Sequence, residues 1–358
     1  MLKNFLRPAI LSAILLSSSL VGFAPAFADE GGADGALIVT ATNASAGNEL
    51  KAYDRNLHIQ TTVSTGGKGT GSGLGNQGGI VVSDDTLVVV NAGDDTISSF
   101  RIIDNGNLQL ASVVSAHGVR PVSVTIQNDI VYVVNAGDKT IAGFSLDKKS
   151  KLSFLAGSVR SLSGTAPAQI GFAREGRELI VTEKGTNTIE AFLIDGNNLP
   201  TGSVVTPSSG QTPFGFQVKG DTIIVSEAFG GSASALSTYR LNADGTLTLI
   251  SPSVAATGQK AACWVATSKD GRFAFTTNTA SASVSSFRLN GNGELELAEA
   301  TAATTPPAPI DIAVSRGRLF VLTSQGIVPF SIGHRGTLGS LSTSALLSGA
   351  NGLAMIND

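Results

Sequence analysis

Seven times along the chain a short apolar run is followed by a second short run that ends in an aromatic residue. The cleanest copies are LVVVNAGDDTISSF (Leu87 to Phe100) and VYVVNAGDKTIAGF (Val131 to Phe144). LIVTEKGTNTIEAF (Leu179 to Phe192) and AFTTNTASASVSSF (Ala274 to Phe287) keep the same frame. The copies ending at Tyr53 and Tyr239 carry insertions, and the one ending at Phe330 a deletion. The closing aromatics Tyr53, Phe100, Phe144, Phe192, Tyr239, Phe287 and Phe330 follow one another at steps of 43 to 48 residues. A period of that length built from short β-rich runs is one propeller blade. Seven copies therefore predict an all-β, seven-bladed β-propeller of four-stranded antiparallel blades.

The runs LVVV and VYVV are apolar at successive positions, so both of their faces are expected to be buried between stacked blades. A second repeating phrase lies between the aromatics, as in GVRPVSVTIQND, TAPAQIGFAREGR, QTPFGFQVKGD, KAACWVATSKDGR and PPAPIDIAVSRGR. It reads as the innermost strand, with Pro121, Pro167, Pro213 and Pro309 at its entrance, where a missing N–H costs little. The last residues, Gly349 to Asp358, repeat this inner phrase with nothing after it, while the first apolar run, ALIVT, lacks an inner phrase before it. The C-terminus is therefore expected to supply the inner strand of the N-terminal blade, closing the ring without an exposed sheet edge.

Lys3 and Arg7, an apolar stretch from Ala9 to Gly22 and the small-x-small run Ala26-Phe27-Ala28 read as a secretory leader over 1–28. A single propeller domain over 29–358 would then lie outside the cytoplasm, secreted or periplasmic. The apolar run is short for a retained anchor, and no other segment is long and apolar enough for a helical span. A formal net charge of −3 argues against nucleic acid as a partner. Cys263 is the only cysteine, so no internal disulfide is available, and it is expected to be a buried residue on a strand. The low charge content and 42 glycines fit tight turns and little helix.

In an antiparallel blade the start of the innermost strand and the end of the second strand share one face of the disc. One channel mouth is therefore expected to collect Thr40, Asn91, Asn135, Glu183, Glu227, Asn278 and Thr323 from the second strands. The inner-strand entrances add Gln77, His117, Arg120, Gln211, Lys260 and Asn351 to the same mouth. Polar groups around one mouth make a binding pocket, and Glu183 and Glu227 break its Asn/Thr pattern. On this reading Arg120 holds an anionic substrate group or a developing oxyanion through its planar donors, and His117 shares in proton transfer. Glu227, Gln77, Gln211, Lys260 and Asn135 complete the substrate contacts. The competing reading gives the Asn and Glu side chains a purely local task, closing tight turns between second and third strands.

These phrases resemble the YVTN-type repeats of the lactonase-like seven-bladed propellers, a family that includes bacterial 6-phosphogluconolactonase and the fungal carboxymuconate lactonizing enzyme. The resemblance covers essentially all of the chain after the leader. It is closest to secreted 3-carboxymuconate cyclase-like members through TGGKGTGSGLGNQGG (Thr65 to Gly79), PFGF (Pro213 to Phe216), SEA (Ser226 to Ala228) and AACWVATSKDGRFAF (Ala261 to Phe275). In the lactonases a glutamate in a phrase like VNEL is assigned to the active site. The matching phrase here is VTEK, which implies Glu183 as general base or acid. Of the cationic set expected of those enzymes Arg120 is present, while Lys260 stands where a second anion clamp is sought.

The glycine-rich stretch contains Gly73-Leu74-Gly75-Asn76-Gln77-Gly78, formally G-x-G-x-x-G, but IVVSDD follows and reads as a strand, so no dinucleotide site is expected. The stretch reads as a plain flexible loop, with a mobile lid or an anion-holding nest as alternatives. The three histidines, His58, His117 and His334, have no metal-ligand spacing, so neither metal nor cofactor is expected, with a Ca²⁺-like ion on the oxygens of Glu183, Glu227 and nearby amides as the alternative. The sequence leaves two principal functions open beside a purely structural secreted repeat protein. One is a lactonase-like hydrolase or cycloisomerase acting as a monomer on a small lactone or carboxylate. The other is a non-catalytic extracellular binding propeller.

Overall fold

The computed structural model describes residues 37–103, 106–347 and 349–356; the leader expected over 1–28 lies outside them. Each repeat forms one antiparallel sheet, and the described residues build seven such sheets in a ring. The innermost strands are Ile80–Ser83, Pro121–Gln127, Pro167–Ala173, Pro213–Lys219, Ala262–Thr267, Pro309–Ser315 and Asn351–Ile356. The last of these belongs to the first blade. It pairs with Leu37–Ala41 in the register Ile38 with Met355, Val39 with Ala354 and Thr40 with Leu353. N- and C-terminal strands thus close the ring as the unfinished first and last repeats require.

The second strand of each blade carries the apolar run. Thr86–Asn91, Ile130–Asn135 and Glu178–Glu183 are buried at every position, because side chains on both faces pack against neighbouring blades. The closing aromatics Tyr53, Phe100, Phe144 and Phe287 are all at most 1% exposed, which explains why the repeat keeps a large ring there.

The entrance to the innermost strand is built the same way in five blades. Arg120, Ala166, Thr212, Ala261 and Ala308 stand immediately before it with left-handed φ of 58°, 53°, 57°, 62° and 50°. The carbonyls of these residues accept the N–H groups of Ala136, Lys184, Ala228, Thr279 and Ser324, just past the second strand, at 2.9 to 3.1 Å. A left-handed non-glycine residue costs about 1–2 kcal/mol, so the clamp and the following bulge hold a conformation the residues would not choose.

Neighbouring innermost strands share no backbone ladder, and side chains bridge them instead. Ser123 Oγ accepts Ile170 N–H at 3.2 Å. Gln169 accepts Phe216 N–H at 2.7 Å and donates to Phe216 O at 3.1 Å. Gln217 donates to Val265 O at 3.1 Å.

Candidate functional site

The glycine-rich stretch does not hang free over the mouth. Its first half is tied to the top of blade 1, with Thr70 N–H on Asn43 Oδ1 at 3.0 Å and Gly69 N–H on Ala44 O at 2.8 Å. Its second half crosses the mouth and bonds to four other blades. Gly79 O accepts Val90 N–H and Gly78 O accepts Val124 N–H, at 3.0 and 2.8 Å. Gln77 N–H donates to Ala168 O at 3.1 Å. Across the ring, Asn76 O accepts the Trp264 indole N–H at 2.7 Å, and the Gln77 amide exchanges two bonds with the Val265 backbone, at 2.8 and 3.1 Å. Gly215 makes room for it, since a methyl group there would overlap Gln77 Oε1. The stretch is a plug, and glycine is needed where its backbone and its sockets come this close.

Around the plug the fold gathers a cationic and aromatic cluster. Lys184, the residue after Glu183, donates from Nζ to Gly75 O and lies 4.5 Å from the centre of the Phe214 ring. Phe214 in turn tilts against Trp264, with ring centres 5.1 Å apart. Burial above all, opposed by Cys263 and aided by the charge of Arg120, brings the Lys184 ammonium down to about 8. The Cys263 thiol, buried on its strand, is itself pushed up to about 11 by burial, which leaves it unreactive at neutral pH.

The residues expected at this mouth fall into three groups. Glu183, Glu227 and Asn135 are fully buried at the ends of their second strands. Glu183 accepts Gly164 N–H at 2.8 Å and the Thr188 hydroxyl at 2.7 Å. Burial raises its pKa, opposed by those two bonds and reinforced by Glu190. Glu227 accepts Gly210 N–H at 2.7 Å and the hydroxyls of Ser237 and Ser253 at 2.5 and 2.6 Å. Asn135 donates to Ala116 O and Thr140 Oγ1, both at 3.2 Å. All three bond to the loop that enters their blade. Gln77 belongs to the plug. Arg120, His117, Gln211 and Lys260 are exposed. The His117 ring stacks on Phe154 with centres 3.6 Å apart, at the edge of the disc rather than over the Lys184 cluster.

Below the plug the channel holds a cavity of about 410 Å³, lined by Gln77, Gln169, Gln217, Thr267 and Asp311 among apolar residues of the inner strands. Asp311 accepts Ile312 N–H at 2.8 Å and the N–H of Leu353, so it bridges blade 7 to the closing strand. Burial pushes its carboxyl up to about 8, so at neutral pH it is mostly protonated.

A family model described as lactonase, 7-bladed beta-propeller matches residues 38–161, 87–235 and 225–316. The chain belongs to that lactonase family. No curated protein sequence matches it. Among solved structures, a Bacteroides fragilis protein provisionally termed a 6-phosphogluconolactonase superposes with a TM-score of 0.72 at 19% identity, covering 90% of this chain and 99% of its own. The periplasmic gluconolactonase of Pseudomonas aeruginosa gives 0.72 at 16% identity, over 90% of this chain and 99% of that one. At such identities the likeness establishes the fold alone.

Two polar groups of this lactonase-family ring escaped the sequence reading. Lys184 sits beside the glutamate that drew attention in VTEK, and its place after the strand was the available signal. Asp311 stands two residues beyond the entrance proline, where Ser123 and Gln169 stand in their blades; a polar residue recurring in an apolar strand was the sign. Among the described residues no helix is long and apolar enough to cross a membrane.

Proposed function

We propose that this chain is a lactonase-like enzyme, secreted or periplasmic after removal of residues 1–28, that opens or closes a lactone bearing a carboxylate. The observation that carries this reading is Lys184, held between the plug at Gly75 and the Phe214 ring, with the charge of the exposed Arg120 acting on it. Arg120 offers planar donors to the carboxylate. Lys184, with a pKa near the working range, polarises the acyl oxygen and protonates the leaving ring oxygen. Water adds to the acyl carbon, the acyl–oxygen bond breaks, and the proton released by the attacking water restores the ammonium. Closure is the reverse. Glu183 acts as a positioning residue, since its carboxylate holds the 163–165 loop and fixes the strand end from which Lys184 projects.

The plug favours a second reading, a non-catalytic binding propeller, because protein already fills the mouth. The two separate in a hydrolysis panel of sugar lactones, muconolactones and acyl-homoserine lactones on the chain from Asp29 onward. Catalysis predicts turnover that is lost in Lys184→Met and Arg120→Gln and survives at reduced rate in Glu183→Gln. No turnover of any member, with melting raised by a lactone, would replace the enzyme with the binding protein.

A further inference from the structure

A cavity of about 800 Å³ lies far from the mouth, across the outer part of blade 6. One wall is the outer strand of blade 5, Leu247–Ala255, which contributes Ile250, Pro252 and Val254. The facing wall is the blade 7 turn with His334 and Arg335, and the floor is Phe273, Leu289 and Leu295. A second cavity of about 380 Å³ adjoins it, sharing Arg272, Phe273 and His334 and adding Ser268, Lys269 and Gly333. The gap persists because the turn before the outer strand of blade 7 packs by Gly336 directly on Phe273, and that outer strand is reduced to Leu338–Ser340 and Ala345–Leu346.

The large lobe has an apolar floor, and the small one brings Lys269 and Asp270 beside the shared Arg272. The acids of the groove are already engaged: Asp270 takes Arg272 Nε at 2.6 Å and the Ser268 hydroxyl at 2.7 Å. Glu296 faces Arg288 at 3.6 Å, and Glu294 accepts Asn290 Nδ2 at 2.5 Å. Arg272 spends only Nε on Asp270, leaving its terminal N–H groups for a ligand, and Arg335 adds a second guanidinium at the wall.

We infer that this two-lobed groove binds an amphipathic carboxylate, with its apolar tail over Phe273, Leu289 and Ile250 and its carboxylate at Arg272 and Lys269. The site is separate from the mouth and does not depend on the proposed reaction. Decanoate titrated calorimetrically into the chain from Asp29 onward tests it. Saturable binding is expected, weakened about tenfold or more by Arg272→Glu at the head and by Ile250→Asp at the tail. Arg272 is exposed and Ile250 half-buried, and unchanged melting of either variant confirms that the fold is intact. Binding that survives both substitutions, no saturable binding in the parent, or binding lost instead in Arg120→Gln would each overturn the assignment.

Discussion

Asp311→Asn isolates one buried proton. In the unfolded chain the carboxyl ionises near its ordinary 3.8, while in the ring burial holds it up to about 8. Between those values the folded state keeps a proton that the unfolded state releases, so each pH unit removes about 1.4 kcal/mol of stability. Stability from this group is full below the lower value, drains as pH rises, and is gone above the upper one. The accumulated loss is on the order of 5 kcal/mol, large against the 5–15 kcal/mol of an ordinary domain. Asparagine keeps an oxygen for the N–H groups of Ile312 and Leu353, fills the same volume and has no proton to lose.

Urea unfolding at pH 4.5, 6, 7.5 and 9, followed through the single Trp264, measures the effect. The two proteins should be closely matched at pH 4.5, and the variant should pull ahead steadily until about pH 8 and then hold its lead. Lys184 contributes a trend of opposite sign above pH 8, since its pKa is lowered, but it is common to both proteins and cancels in the difference. A gap between variant and parent that stays constant from pH 4.5 to 9 would refute a proton held on Asp311.

Three further outcomes follow from the same geometry. Gly164→Ala places a methyl group against Glu183 Oε2 and Thr186 Oγ1, so it should destabilise by about 1–3 kcal/mol, while Gly202→Ala, with open space around it, should lie within about 0.5 kcal/mol of the parent in thermal melting. Gly215→Ala should expel the Gln77 amide from its socket and loosen the plug; a red shift of Trp264 emission, as its indole loses Asn76, is the readout, and an unshifted spectrum would count against the socket. Arg120→Gly relieves a left-handed side chain, so it should hold or raise stability by up to about 1 kcal/mol while abolishing any lactone turnover.

The ring, its blade count and its closure were legible because each rests on a pattern that repetition amplifies. An apolar run buried on both faces must be apolar at every position, and the large ring that ends the next strand must recur. The mouth was legible only as a list of positions. Asn135, Glu183 and Glu227 do occupy equivalent strand ends, but the direction of each carboxylate or amide is set by a partner 19 or 17 residues away, Ala116 for Asn135, Gly164 for Glu183 and Gly210 for Glu227. The plug was harder still. Nothing local in Gly75-Asn76-Gln77 announces that Trp264 and Val265, 188 residues on, will bind it.

That distance also explains how the mouth is assembled. Arg120, Lys184, Phe214 and Trp264 come from four consecutive blades, and each is aimed by the same entrance clamp or strand end that builds its own blade. The left-handed entrance at Arg120 recurs at Ala166, Thr212, Ala261 and Ala308, so its strain belongs to the propeller and is not by itself a mark of catalysis. What distinguishes the mouth is the side chains mounted on that common frame: a guanidinium where other blades place Ala or Thr, and a lysine just past a second strand where the neighbouring blades place Ala136 and Ala228. A sevenfold frame makes such replacements inexpensive to the fold, because the backbone clamp stays the same whichever side chain it carries. Arg120→Gly and Lys184→Met should therefore leave the ring standing while they remove the chemistry, which is the separation a catalytic reading of this mouth requires.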